Sequence, residues 1–230
     1  MTQEPDNEFV AKWVNPLSVL QYAEKKRRID TTMEKLWKEK QEGEFNQLYL
    51  GPPFRLSFGC VIFMRKIGNP LPIQCNGFKG MKFSKLLAEI QFLDKHDLVH
   101  GDLRLFNLVL DKESHLRLID CDESEGSMLA RLDKADDGTG YVPYPNPDKM
   151  FHPDVGLALR RRGYTGYQIL RLVLEESDDK QGYWSARMRE GVESTLQTAS
   201  KGGQLDEEAA QFLWDEAVGV LESPPAELQW

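Results

Sequence analysis

Residues 98–123, LVHGDLRLFNLVLDKESHLRLIDCDE, restrict the fold more than any other part of this chain. Three short apolar runs, at 98–100, 108–110 and 116–119, read as strands. The polar run Asp111-Lys112-Glu113-Ser114 supplies a turn between the last two. The polar residues between the strands hold definite places. His100, Gly101 and Asp102 open a loop after the first strand, Asn107 precedes the second, and Asp120 ends the third. A hairpin of this kind turns both carboxylates toward one cleft, with Arg104 within reach of the same space.

Phosphoryl transfer is a chemistry that such a set can serve. It asks little covalent work of a protein, which positions groups and neutralises charge. One carboxylate must meet the attacking hydroxyl. Further oxygen ligands must hold magnesium, a hard cation, and a positive group beside the travelling phosphoryl helps. Asp102, Asn107, Asp120 and Arg104 offer these groups.

Residues 86–126 resemble the protein-kinase segment that runs from the helix before the catalytic loop to the magnesium loop. Residues 100–107 match its H-x-D-x-x-x-x-N pattern, and Ile119-Asp120-Cys121-Asp122 stands where the family carries D-F-G, at the family's usual distance along the chain. The resemblance implies Asp102 as the base or hydroxyl-orienting carboxylate. It implies Asn107 and Asp120 as metal ligands, Arg104 in the role of the family's lysine, and ATP and Mg2+ as cofactors. It also implies an α+β, bilobal protein-kinase-like fold, with a reduced amino-terminal β lobe over residues 1–66 and a mainly helical carboxy-terminal lobe over 67–230. The activity expected is that of a protein Ser/Thr kinase. His100 reads as a brace for the loop.

Departures from the pattern keep other readings open. Gly101 replaces the arginine common in H-R-D, and H-G-D resembles aminoglycoside and choline kinases, so a small-molecule acceptor is an alternative. Asp122 stands where D-F-G has glycine. Residues 138–145 (GTGYVPYP) resemble, with a shift of one residue, the end of an activation segment, which would bring Thr139 near Asp102; an exposed loop is the plain alternative. Asp154 is a loop brace or a helix cap. In the amino-terminal part, residues 60–68 (CVIFMRKIG) resemble the strand and hinge that clasp adenine. Val10-Ala11-Lys12 resembles V-A-I-K, which would make Lys12 the phosphate-gripping lysine and Glu24 or Glu34 its partner. An exposed strand lysine fits equally. The first glycine in the sequence is Gly43, so the residues before Lys12 cannot build a glycine-rich phosphate cradle. The resemblance covers roughly residues 9–160 without the family's first two strands. A catalytically impaired pseudokinase or kinase-like interaction module is therefore the alternative. A metal phosphohydrolase using His96, Asp97 and His100 is a reading from another class.

Hydrophobic spacing fills in the remainder. Residues 9–14 read as a strand, 17–42 as a helix ended by Gly43, and 55–67 as one buried strand. Residues 83–96 carry the helix stripe Leu86, Leu87, Ile90 and Leu93. A loop over 123–154 precedes helices at 155–176, 181–199 and 206–222, the last with Asp206 near its cap and Glu207 and Glu208 in its first turn. A net charge of -8 speaks against a nucleic-acid partner; the kinase resemblance implies a protein substrate or partner protein. The basic run at 25–28 reads as a solvated helix face. Cys60, Cys75 and Cys121 form no CxxC pair. The amino terminus has no apolar core, and the longest apolar run, 60–64, is far too short to span a bilayer. The expectation is a cytoplasmic or nuclear protein without a membrane partner.

Overall fold

The computed structural model describes residues 9–14, 27, 30–32, 53–56, 59–71, 78, 80–121, 147–176, 191, 194–195, 197–198 and 203–223. Over these residues the protein mixes helix and sheet. The first sheet holds β1 (Phe9–Val14), β2 (Phe54–Leu56) and β3 (Gly59–Arg65) in the order β1-β3-β2, all antiparallel. The pleat sends alternate residues to opposite faces. Cys60, Ile62 and Met64 on β3 are buried, while Phe63 and Arg65 are exposed.

The expected single strand over 55–67 is a correction. The chain forms two strands there, with Leu56 paired to Gly59, so it reverses between them. Ser57 and Gly59 mark the reversal within the run that the spacing reads as one strand. The pairing of Phe54 with Val61 across the ladder settles the split.

A second antiparallel sheet joins β4 (Asn69–Pro70), β5 (Leu108–Leu110) and β6 (Leu116–Leu118) in that order. The chain passes from the first sheet to the second through Gly68, where a Cβ would lie 2.6 Å from the carbonyl oxygen of Leu110. Only glycine permits so close a crossing.

Helix α1 (Ser84–Lys95) buries Leu86, Ile90 and Leu93 along one stripe. It ends in a left-handed turn. Asp97 has φ 57°, its N–H donates to Asp94 O at 3.1 Å, and the N–H of Leu98 donates to Leu93 O at 2.8 Å. That pair of bonds is the Schellman closure, with Leu98 packing back on the helix it ends. Residues 98–100, expected as a strand, therefore form no ladder. Leu98 belongs to the helix cap, and aspartate, which tolerates the left-handed region, does the work that glycine usually marks.

Helix α2 (Pro147–Met150) is a short turn inside the stretch expected as loop; proline presets the backbone of a first helical position. Helices α3 (Leu157–Glu176) and α4 (Glu207–Glu222) pack closely against each other. Tyr164, Leu170 and Val173 on α3 and Ala210, Leu213 and Ala217 on α4 are buried. The helices approach so near at Gly166 that a Cβ there would stand 2.3 Å from Leu213 O. Asp206 caps α4 as its sequence suggests, accepting from the N–H of Ala209 at 2.9 Å. Helix α3 is tied to α1 by Arg162, whose guanidinium grips both oxygens of Asp94 at 2.9–3.1 Å. Most of the expected helix over 17–42, most of that over 181–199, and residues 122–146 with Asp122 and Thr139 lie outside the described residues, as do Glu24, Glu34 and Cys75; 27 and 30–32 are helical. Among the described residues no helix is long and apolar enough to cross a membrane.

Candidate active site

The loop between α1 and β5 is fixed from its first residue. His100 is buried and uses both ring nitrogens. Its Nδ1 accepts from the N–H of Asp102 at 3.2 Å, so that nitrogen carries no proton. Nε2 therefore carries it and donates to Ile119 O at 2.7 Å. One neutral imidazole thus joins the loop to the segment after β6, the bracing role read from the sequence. Gly101 has φ 74°, a conformation glycine adopts without steric cost. This gives a backbone reason for H-G-D in this chain.

Asp102 is partly buried, and its Oδ2 lies 3.1 Å from the guanidinium of Arg104. The next residues wind into a 3-10 turn (Leu105–Asn107), closed by the N–H of Asn107 on Arg104 O at 2.9 Å. The Asn107 side chain folds back, and its Nδ2 donates to Asp102 O at 2.8 Å. With the amide nitrogen engaged, the amide oxygen is the group that Asn107 can offer a cation. The carbonyl of Asn107 in turn accepts from the N–H of Ile119 at 3.0 Å.

Asp120 follows directly. Its φ of 71° turns the chain out of the strand direction. Its carboxylate pairs with the ammonium of Lys12 from β1. Lys12, Asp102, Asn107 and Asp120 thus stand on three backbone segments, joined by the Asn107 bonds to the Asp102 carbonyl and the Ile119 N–H and by the Lys12–Asp120 ion pair. Lys12 comes from the first sheet, Asp102 and Asn107 from the loop, and Asp120 from the end of the second sheet.

Sequence reasoning missed what holds the β6 segment in place. Glu89 on α1 is 3% exposed. Its Oε1 accepts from Arg117 Nε and its Oε2 from the N–H of Leu118, both at 2.6 Å. Burial pushes the Glu89 carboxyl up from 4.5 to about 7, against the opposing pull of Arg117 and the Leu118 N–H. The available signal was a carboxylate beside Ile90 on the apolar stripe of a helix, and an arginine between two strand leucines.

Asp111, Glu113 and His115 bring ligand atoms within 4.8 Å of one another. Lys85 already lies on this group, 3.0 Å from Asp111 and 3.3 Å from Glu113. Burial works to raise the Asp111 carboxyl, but the N–H groups of His115 and Glu113 and the Lys85 ammonium outweigh it and hold it at about 2. The cluster reads as the polar lock of the β5–β6 turn.

Other candidates separate. His96 stacks on Phe92 at 4.4 Å, Asp97 pairs with Arg161 at 2.9 Å, and His100 faces Ile119. These three share no site, which removes the metal phosphohydrolase reading. Asp154 is exposed beside His152 and lies ahead of α3, so it neither braces the loop nor caps the helix.

No family model matches the sequence. A stretch of 73 residues is 30% identical to a protein of Caenorhabditis elegans named as a ribosomal protein S6 kinase alpha-2, covering 32% of this chain and 10% of that protein. The chain is thus similar over part of its length to a protein kinase, and the match spans about a tenth of that relative.

Proposed function

We propose that this chain is an ATP- and magnesium-dependent phosphotransferase of the protein Ser/Thr kinase type, with the bilobal arrangement that such an activity uses. The observation that supports the reading is the chain of contacts in which the Asn107 side chain bonds the Asp102 carbonyl, the Asn107 carbonyl bonds the N–H of Ile119, and the next residue, Asp120, pairs with Lys12. The partial similarity to a kinase agrees with it.

In this reading Asp102 orients the acceptor hydroxyl and takes its proton, while Arg104 holds that carboxylate and faces the charge of the moving group. Asn107, through its amide oxygen, and Asp120, through its carboxylate, form an all-oxygen set that suits Mg2+. The ion would neutralise phosphate charge when bound. Lys12 exchanges its contact with Asp120 for phosphate oxygens.

The test is a thermal melt with and without millimolar ATP and Mg2+, followed by transfer of radiolabelled phosphate to generic protein substrates. A raised midpoint and label on Ser or Thr support the reading. A folded sample that shows neither ends it. A kinase-like interaction module without turnover is the second reading, favoured by the direct Lys12–Asp120 pair, which neutralises both charges without nucleotide. A melt that ignores nucleotide selects it.

A further inference from the structure

Strand β6 is the edge of the second sheet, and its N–H groups alternate between two sides. On the side of β5 they join the ladder. Asp111 N–H donates to His115 O and Ile119 N–H to Asn107 O, both at 3.0 Å. Leu116 and Leu118 therefore turn their N–H groups away from β5, to the outer edge. Leu116 N–H donates to Lys82 O at 2.9 Å. Among the described residues no strand lies beyond the edge at Leu118. Its N–H donates instead to Oε2 of Glu89 on α1, at 2.6 Å. The other oxygen, Oε1, accepts from Arg117 Nε at the same distance. A helix side chain thus takes the place of a strand at the last residue of β6.

Two residues on, Asp120 meets Lys12. The intervening Ile119 bonds on the side of the loop, through Asn107 O and the His100 ring. Glu89 supplies the hold from the opposite side. With both, the strand end is fixed in rotation as well as in place, and the turn at Asp120 starts from a set direction. A buried ion pair is a poor source of stability, since desolvating both charges costs about what their attraction returns. The worth of the Glu89–Arg117 pair at this position lies in the direction it fixes.

We propose that Glu89 is a positioning residue: through the Leu118 N–H, with Arg117 holding its other oxygen, it aims the Asp120 carboxylate at Lys12 and at the divalent ion that accompanies nucleotide. The part concerning the ion rests on the phosphotransferase reading above; the part concerning Lys12 does not.

The experiment uses the full chain, and its first arm needs neither metal nor nucleotide. Acylation of Lys12 by an N-hydroxysuccinimide ester is followed by peptide mass spectrometry, with the exposed Lys149 of α2 as reference. A lysine held by a carboxylate keeps its proton and acylates slowly. Asp120→Asn raises the Lys12 rate by about fivefold, the share of an exposed ion pair. Glu89→Gln raises it most of the way to that value. Its amide oxygen goes to the charged Arg117, the stronger donor, and its NH2 is left facing the Leu118 N–H. Adding Arg117→Met to Glu89→Gln brings the rate back toward wild type, because the released oxygen bonds the Leu118 N–H. A pair that served stability alone would instead lose more with each change. Glu89→Met with Arg117→Met fills the same core with apolar atoms and offers Leu118 no acceptor, so the rate stays high. These two double variants differ only in that acceptor, and they carry the test if Glu89→Gln alone fails to fold by circular dichroism. Equal Lys12 rates in the two double variants, or a wild-type rate in a folded Glu89→Gln, overturn the inference. So does an Asp120→Asn protein no faster than the wild type.

The second arm measures the Mg2+ concentration that half-completes the ATP-dependent melting shift. Glu89→Gln raises it by about tenfold. A shift with the same Mg2+ requirement in both proteins overturns the part concerning the ion. A wild type whose melt ignores nucleotide ends the phosphotransferase reading and that part with it, while the acylation rates still decide the part concerning Lys12.

Discussion

The ammonium of Lys12 on β1 and the carboxylate of Asp120 beyond β6 form an ion pair across 108 residues of sequence. Each is tied to its own sheet, so the pair joins the first sheet to the loop that holds Asp102 and Asn107. Both side chains are about a third exposed, at 29% and 39%. At that exposure solvent screens the attraction, and the pair contributes at most about 1 kcal/mol to the fold. In the reading proposed above, these are the charges that receive a nucleotide phosphate and its metal.

Lys12→Met separates these roles. The melting midpoint without ligand moves by only a few degrees, since about 1 kcal/mol is at stake. On the proposed reading the nucleotide-dependent rise falls sharply, because Lys12 is the cation assigned there to the phosphates. At a ligand concentration about 100 times Kd the wild type gains about 2.7 kcal/mol. Paired thermal melts with and without ATP and Mg2+ check this. An equal rise in both proteins removes Lys12 from the site.

Asp102→Asn keeps the shape of the side chain and its neighbourhood with Arg104 but removes the charge. Phosphate transfer drops by a factor on the order of 100 to 10,000, the usual share of a positioned base, while the nucleotide-dependent melting shift persists. Single-turnover transfer with radiolabelled ATP is the measurement. Undiminished transfer removes Asp102 from the proton path.

How far the sequence revealed this arrangement depends on how local each signal was. The β5–β6 hairpin, α1 and the Asp206 cap of α4 are encoded within a few residues, and they stand within a residue or two of the expected positions. Leu98 was misread because its apolar character serves a helix closure, made through the N–H that bonds Leu93 O. The Glu89–Arg117 pair was missed for another reason. Neither residue signals its partner locally, and a charge on an apolar stripe becomes intelligible only when α1 and β6 meet.

Glu89 makes stability depend on pH in a defined direction. Its carboxyl is raised from 4.5 to about 7 by burial, so the folded protein holds the proton more tightly than the unfolded chain. The associated stability is full below pH 4.5 and is lost as pH rises through about 7. The span is about 3 kcal/mol at roughly 1.4 kcal/mol per pKa unit. Asp111, held at about 2, titrates below this window; its contribution is present above its ordinary 3.8 and is lost as the medium becomes more acid. Urea denaturation at intervals between about pH 4.5 and pH 8 should show the decline in the wild type and a flatter profile in Glu89→Gln. Identical slopes in the two proteins assign the decline to other groups. Arg117→Met removes the pull that lowers the Glu89 carboxyl, so Glu89 holds its proton to higher pH and the decline in stability moves upward in pH.

Two glycines in the helical part test the packing in opposite directions. A methyl at Gly166 of α3 would stand 2.3 Å from Leu213 O and 2.5 Å from Leu213 C, both backbone atoms of α4 that have no rotamer to change. Gly166→Ala must therefore push the helices apart, at about 1–3 kcal/mol. At Gly219 of α4 nothing lies within 4 Å of the added carbon. The substitution there only restricts the unfolded chain and favours helix, so Gly219→Ala should stabilise by about 0.5–1 kcal/mol. Because both changes add the same methyl to a helix, intrinsic helix preference alone predicts the same sign for both. Opposite signs in urea midpoints measured under one set of conditions would locate the effect in the contact between α3 and α4. Stabilisation by both would mean that these helices do not approach each other at Gly166.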